Sequence, residues 1–318
     1  MEADTTRVPL ALLPTPLVPL PRLTAALRVP DGAPLELWCK RDDLTGSSLS
    51  GNKVRKLEHL FAEAEAAGAT VILTTGGIQS NHARATAVAA RERGMDIVLL
   101  LRGEPTPDPD GNLLLDIVLG ARIVWCNAEE YRISRDDILR TLAAEVAATG
   151  AVPYIIPEGG SNRTGARGYI EAAAEIAAVG RHFDHVVVAC GSGGTVAGLA
   201  LGADIGFIHG IAVCDDREYF RRRVREIAGD GVREPGDGWD ILEGYQGPAY
   251  GVATSAVWDT IRLAACTEGL LLDPVYTGKA LHALRTEVTA GRWGGRILFW
   301  HTGGIYGLFG RGREALAE

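Results

Sequence analysis

An α/β architecture of two open parallel sheets is predicted by three features of the sequence. Short runs of Val, Ile and Leu alternate with helix-length segments, glycines punctuate the run ends, and the runs are apolar nearly throughout rather than at every second position. Strands alternating with helices form βαβ units and parallel pairs. Continuous apolar runs mark strands covered on both faces. In chain order the predicted strands are Leu35–Lys40, Thr70–Leu73, Asp96–Leu101, Arg122–Trp125, Val152–Ile156, His185–Ala189, Phe207–Val213 and Arg296–Trp300.

Between them, Val54, Leu57, Phe61 and Ala64 recur at helical spacing and give one apolar stripe. Ser50 or Asn52 is the expected cap of that helix. The stretch Gly103–Gly111 reads as a rigid surface loop, and the arginine-rich run Arg217–Arg225, interleaved with acids, as the solvated face of a helix. A small α/β domain is expected over residues 51–157, with residues 1–50 and 158–318 forming a larger one and a ligand cleft between two facing sheets.

Composition narrows the function. Of 318 residues, 47% are hydrophobic and 23% charged, as in a chain that buries a core. Net charge is −8, which argues against a general nucleic-acid face. No apolar run reaches the roughly 20 residues of a membrane span, and the N-terminus lacks a signal-peptide pattern, so a cytosolic location is expected. The five cysteines are scattered and never spaced as C-x-x-C, which points to reduced thiols rather than a disulfide framework or a zinc site. Only four of the 32 basic residues are lysines: Lys40, Lys53, Lys56 and Lys279. Lysine can lose its proton and form a Schiff base whereas arginine cannot, so a surviving lysine points to amine chemistry.

Four segments carry candidate chemistry. In Ser50-Gly51-Asn52-Lys53-Val54-Arg55-Lys56, Lys53 falls in a first helical turn, where the helix dipole and Lys56 both disfavour its protonation. In Thr74-Thr75-Gly76-Gly77-Ile78-Gln79-Ser80-Asn81-His82, a strand runs into a glycine loop and a helix beginning near Asn81, a nest suited to a carboxylate or phosphate, with Ser80 and Asn81 as side-chain donors. In Cys190-Gly191-Ser192-Gly193-Gly194-Thr195-Val196-Ala197-Gly198, a second anion cradle precedes a helix. It lacks the lysine of a P-loop. A dinucleotide fingerprint would need glycine at Val196, although Asp215 stands at a suggestive distance after the next strand, so that alternative stays open beside a better-fitting monophosphate site. In the C-terminal third, Asp273-Pro274-Val275-Tyr276-Thr277 and Trp300-His301-Thr302-Gly303-Gly304 place polar groups at a strand end. Together these supply an aldehyde-carrying lysine, a phosphate cradle, a carboxylate nest and a strand-end polar group, which is the inventory for pyridoxal phosphate and an amino acid.

The segments SGNKVRKLE, GGIQSNHARATA, GSGGTVAGLA, GPAYGVAT, LDPVYTGKAL and LFWHTGG resemble, in order and from about Pro14 to Gly310, the D-cysteine desulfhydrase and 1-aminocyclopropane-1-carboxylate (ACC) deaminase family. The resemblance implies a tryptophan-synthase-β-like fold with pyridoxal 5'-phosphate in the interdomain cleft, and a homodimer. It implies that Lys53 is the Schiff-base lysine and the base at Cα, that Asn81 lies beside the cofactor ring, and that Ser80 lies near the substrate carboxylate with His82 close by. By the same resemblance Ser192, Gly193, Gly194 and Thr195 form the phosphate loop, Tyr250 and Tyr276 are the active-site tyrosines, and Thr302 meets the pyridine nitrogen. Ring-opening deaminases carry glutamate and leucine where this chain has Thr277 and Thr302, which places it with the desulfhydrases. The region Leu201–Trp239 is shorter than in the bacterial members and more like the plant ones. The implied activity is α,β-elimination of D-cysteine, with ACC deamination or elimination of sulfite from cysteate as alternatives, and a dinucleotide-dependent oxidoreductase as the alternative from another class.

Overall fold

The computed structural model describes residues 7–249 and 251–311. The chain runs β1 (Leu17–Pro19), α1 (Pro21–Ala26), β2 (Leu35–Arg41), α2 (Lys53–Ala66), β3 (Val71–Gly77), α3 (Asn81–Glu92), β4 (Asp96–Arg102), α4 (Gly111–Val118), β5 (Arg122–Cys126), α5 (Ala128–Ala148) and β6 (Pro153–Ile155). It continues through α6 (Arg163–Ala178), β7 (His185–Cys190), α7 (Gly194–Leu201), β8 (Phe207–Ala212), α8 (Arg217–Ala228), β9 (Trp239–Leu242), α9 (Ser255–Glu268), α10 (Thr277–Thr289), β10 (Gly295–His301) and α11 (Ile305–Phe309).

Two sheets result. One has four strands in the order β5-β4-β3-β6, all parallel. The other has six in the order β1-β2-β10-β7-β8-β9, parallel except for β1, which pairs antiparallel with β2. Side-chain alternation explains the continuous apolar runs. Along β4, Ile97, Leu99 and Leu101 enter one core while Val98 and Leu100 enter another. Along β7, Val186 and Val188 face one layer of helices and Val187 and Ala189 the other. Both faces are therefore buried, so apolar residues are needed at every position.

Two strands depart from the sequence reading. The strand β1 is three residues between prolines and forms a sheet edge, where proline is tolerated because its missing N–H faces outward. The other, β9, carries Asp240, whose carboxylate takes Arg221 of α8 at 2.8 Å, so a polar strand is completed by the arginine helix beside it. The expected cap of α2 is also corrected. Asn52 holds the N-cap position but its side chain makes no cap hydrogen bond, and donates instead to Thr195 Oγ1 at 3.1 Å. Ser50 Oγ donates to the Asp43 carbonyl at 2.8 Å. Both side chains brace the cleft rather than the helix.

The helix α2 is tied to the larger sheet by a buried charge cluster. Arg55 donates to both oxygens of Asp42, at 3.0 and 2.9 Å, and to Glu175 of α6 at 2.7 Å. Asp42 also accepts from Thr15 Oγ1 (2.7 Å), Tyr169 Oη (2.6 Å) and Trp300 Nε1 (2.7 Å). Lys40 Nζ completes the cluster on Glu175 at 2.6 Å. Burial alone would raise the Asp42 pKa, but Arg55 and the surrounding donors outweigh it and hold the carboxyl below its ordinary range. Arg55 lies two residues beyond Lys53, so this cluster sets the position of the helical turn that carries Lys53.

Candidate active site

The carboxyl ends of β3, β7 and β10 open onto one cavity of about 880 Å³. Open parallel sheets bind ligands at this edge, where helix N-termini and loop N–H groups point outward. Lys53, Ser80, Asn81, His82, Ser192, Gly193, Thr195, Tyr276 and Thr302 all line it. Gly194 and Thr277 do not line it, and Tyr250 lies outside the described residues.

Lys53 is the first residue of α2. Burial lowers its pKa to about 8, against opposing pulls from Glu158 and Cys190. Lys56, one turn on, is fully buried, with Nζ 3.3 Å from the Gly159 carbonyl and 3.2 Å from Ser161 Oγ. Burial first, and then repulsion from Lys53, push its pKa well below the ordinary value. The lowered Lys53 value agrees in direction with the expectation from the sequence, with desolvation as its leading cause. The lysine count also takes a different meaning: Lys40, Lys56 and Lys279 are all buried and each donates to backbone carbonyls.

The loop after β7 forms an anion cradle. Gly193 has φ +83°, a left-handed conformation open to glycine, and α7 begins at the next residue. A Cβ on Gly194 would lie 2.6 Å from Ser161 Oγ and 2.8 Å from Lys56 Nζ, and one on Gly191 would lie 2.8 Å from the Tyr276 ring. Ser192 Oγ and Ser161 Oγ are 2.8 Å apart. Glycine therefore keeps clear the space that hydroxyls, loop N–H groups and the Lys56 amine surround. Two amines that disfavour protonation, Lys56 fully buried and Lys53 partly exposed on the cavity, fit a phosphate, whose negative charge would favour their charged forms. Lys56, already part of the first motif, and Ser161, which carries no motif of its own, do not line the cavity but stand behind the cradle, Lys56 Nζ 3.2 Å from Ser161 Oγ.

On the opposite wall, Ser80 is the N-cap of α3, its Oγ accepting from the Ala83 N–H at 3.1 Å. A Cβ on Gly76 would collide with that hydroxyl. Asn81 Oδ1 accepts from Asn112 Nδ2 at 3.0 Å. His82 Nε2 meets Thr74 Oγ1 at 2.9 Å, and because Thr74 donates its proton to the Ile156 carbonyl, the imidazole is the donor. Burial, with Lys53 and Lys56 adding to it, holds His82 neutral. Thr302 closes the floor, its carbonyl accepting from the Asn52 N–H at 3.0 Å. Thr277 faces away from these groups: its hydroxyl donates to the buried Asp273 carboxylate at 2.7 Å. Cys190 lines the cavity, but burial pushes its thiol up to about 12, which rules it out as the nucleophile at neutral pH.

The sequence reading missed one wall. Glu158 accepts from Tyr131 Oη at 2.6 Å and from Arg135 at 2.7 Å, and all three line the cavity with Arg102. Glu158 follows the end of β6 in a Pro-Glu-Gly-Gly turn, a strand-end position of the kind that marked the other loops. Tyr131 and Arg135 sit inside α5, where nothing distinguishes them from a solvated helix face.

Lys53 yields a pH prediction. An ammonium is not a nucleophile, so capture of an aldehyde by the apoprotein should accelerate as pH rises and level off above about 8. Stopped-flow absorbance after mixing with pyridoxal phosphate reads this directly. A profile rising instead around 10.5 would contradict the burial of this amine.

Among the described residues, no group of three or more His, Cys, Asp or Glu is placed to hold a metal, and no helix is long and apolar enough to cross a membrane. The family "Pyridoxal-phosphate dependent enzyme" matches residues 8–303. A mitochondrial protein of Arabidopsis thaliana named bifunctional D-cysteine desulfhydrase/1-aminocyclopropane-1-carboxylate deaminase is 43% identical, over 94% of this chain and 78% of its own. A D-cysteine desulfhydrase of Salmonella schwarzengrund is 40% identical over 95% of each chain. The crystal structure of an ACC deaminase homologue superposes with a TM-score of 0.87 at 37% identity, over 99% of this chain and 96% of that one. The dinucleotide alternative falls with these matches, and Val196, where its fingerprint needs glycine, is a buried residue of α7. Because the family match spans nearly the whole length and the cavity has the groups its cofactor requires, the chain belongs to the pyridoxal-phosphate-dependent enzymes.

Proposed function

We propose that this enzyme is a carbon–sulfur lyase that eliminates sulfide from D-cysteine, or the β-substituent of a related amino acid, to give pyruvate and ammonia. The observation that carries the reading is an amine titrating at about 8, Lys53, on the same cavity as an anion cradle and the Ser80-capped helix. The names of the Arabidopsis and Salmonella relatives support the choice of substrate.

Lys53 would hold the cofactor's aldehyde carbon. Ser192, Gly193, Gly194, Thr195 and Lys56 would hold its phosphate, with Asn81 and Thr302 at its ring. Bound pyridoxal phosphate withdraws electrons from the substrate's Cα and so acidifies the proton there. Ser80 and the N-terminus of α3 orient the substrate carboxylate. Lys53 then removes the Cα proton, a task suited to a base whose pKa lies near neutrality. The Cβ–S bond breaks with its electron pair on sulfur, and Tyr276 or Tyr250 supplies the proton that the leaving thiolate takes up. Water hydrolyses the released enamine to pyruvate and ammonia. Thr302, a neutral group at the ring, favours prompt elimination because it leaves the pyridine nitrogen unprotonated. His82 lines the substrate wall, and Thr277 supports it from behind. The small domain over residues 51–157 and the larger one over the remainder would close on the substrate, in a cytosolic homodimer.

Sulfide and pyruvate release should be measured for D-cysteine, L-cysteine, L-cysteate and ACC side by side. Release of both products from D-cysteine is the expected result. Silence on D-cysteine with 2-oxobutyrate formed from ACC would replace elimination by ring-opening deamination, the second activity in the name of the Arabidopsis relative.

Position 277 gives a further prediction. Asp273 accepts from the N–H groups of Val275, Tyr276 and Thr277 as well as from the Thr277 hydroxyl. Thr277→Glu would set a second carboxylate against it and remove one donor, at a cost of about 1–3 kcal/mol. Like charges raise a carboxyl pKa, so the deficit should shrink as pH falls toward about 5. Thermal melting at pH 5 and 8 checks this; equal deficits at both would contradict it.

A further inference from the structure

We propose that Asn112 is a positioning residue that fixes which end of the Asn81 amide faces the cofactor, under the direction of Arg84. The proposal rests on the functional reading above in taking the cavity as the cofactor site.

Amide orientation follows from hydrogen-bond logic. A guanidinium can only donate. Arg84 Nε donates to the Asn112 side-chain oxygen at 3.2 Å, which fixes that end as Oδ1. The other end of the Asn112 amide must then be the NH2 group, and it donates to the Gln79 carbonyl at 3.1 Å and to Asn81 at 3.0 Å. The Asn81 atom that receives it must be Oδ1. Asn81 lines the cavity, and with its Oδ1 taken by Asn112 the end left to meet a ligand there is its NH2 donor. The Asn112 N–H donates to Gln79 Oε1 at 2.9 Å, so its backbone is pinned as well.

Arg84 has no freedom to release this arrangement. It is fully buried, donates to the carbonyls of Ser48 and Ser50, and lies over the Tyr306 ring at 4.9 Å. Those carbonyls belong to the loop that leads into Lys53. Asp116 lies buried near Arg84 with no hydrogen-bond partner among the described residues; burial pushes its carboxyl up to about 8, against the opposing pull of Arg84. One guanidinium thus holds the loop before Lys53 and, through Asn112, the donor end of Asn81. A donor there suits an anionic phenolic oxygen on the ring, and an acceptor there would repel it.

Asn112→Asp removes the donor and invites Asn81 to flip, turning its oxygen into the cavity. The test is a double-mutant cycle on the affinity of the apoprotein for pyridoxal phosphate, with Asn81→Ala as the second change. In the wild-type background Asn112→Asp should weaken binding about tenfold or more and shift the pH titration of the bound cofactor's absorbance. In the Asn81→Ala background it should change affinity less than twofold. Asn112→Ala, which frees the amide without repelling it, should give a smaller loss with the same coupling, and decides the matter if the aspartate variant does not fold. Equal losses in both backgrounds would overturn the proposal and leave Asn112 as a packing residue. Wild-type protein that binds the cofactor but turns over no D-cysteine would defeat the substrate reading alone, because the cycle reads binding.

Discussion

Lys53→Ala should abolish turnover, by at least about 10³-fold, because one side chain both holds the cofactor and moves the Cα proton. The protein should nevertheless remain folded. Burial disfavours the Lys53 ammonium in the native state, so below about pH 8 the native protein carries a penalty that the unfolded chain escapes. Removing the amine removes that penalty, and the variant's apoprotein should melt no lower than the wild type's at pH 6. Activity against D-cysteine and thermal melting at pH 6 together check this. Activity that survived would sink the assignment of Lys53 as base.

Asp42→Leu should produce the largest loss of stability. Asp42 is fully buried and accepts from Arg55, Thr15, Tyr169 and Trp300. Removing one member of a buried pair leaves its partner short of compensation, with Glu175 as the remaining carboxylate on Arg55. The cost is up to about 3–5 kcal/mol, which lowers melting by about 5 °C in a chain of this size. Asp42→Leu combined with Arg55→Met should recover part of the loss, because an apolar replacement of the whole pair removes the stranded charge. The pH dependence has a definite sign. The Asp42 pKa is depressed in the folded protein, so its contribution is complete above the ordinary value of 3.8 and is lost as pH falls through the lower native value. A double variant no more stable than Asp42→Leu would mean that Arg55 finds enough compensation in Glu175 alone.

The contrast between these two residues shows what sequence reading reaches. Lys53 stands in a short contiguous motif whose chemistry depends on local order: loop, helix start, amine. The cradle at Ser192–Thr195 and the helix start at Ser80 and Asn81 are legible for the same reason. Asp42 acquires its role from partners 13, 27, 127 and 258 positions away, and no local pattern announces them. Glu158 and Tyr131, 27 residues apart, meet the same obstacle. Thr277 shows the converse case. The family resemblance implied a substrate-side place for it, at the position where ring-opening deaminases carry glutamate, yet its hydroxyl meets Asp273 instead. Central strands were readable because burial on both faces writes itself into composition. The edge strands β1 and β9 lack that signature: both are short, β1 ends on a proline and β9 carries Asp240.

Lys53, partly exposed to the cavity, and not the fully buried Lys56 one turn away, should carry the cofactor. Borohydride reduction of the holoenzyme followed by peptide mapping tests it most directly, since reduction fixes the cofactor to whichever lysine holds it. Modification should be confined to Lys53, with Lys56 unmodified beside the phosphate. Modification of Lys56 or Lys279, or of no lysine at all, would contradict it.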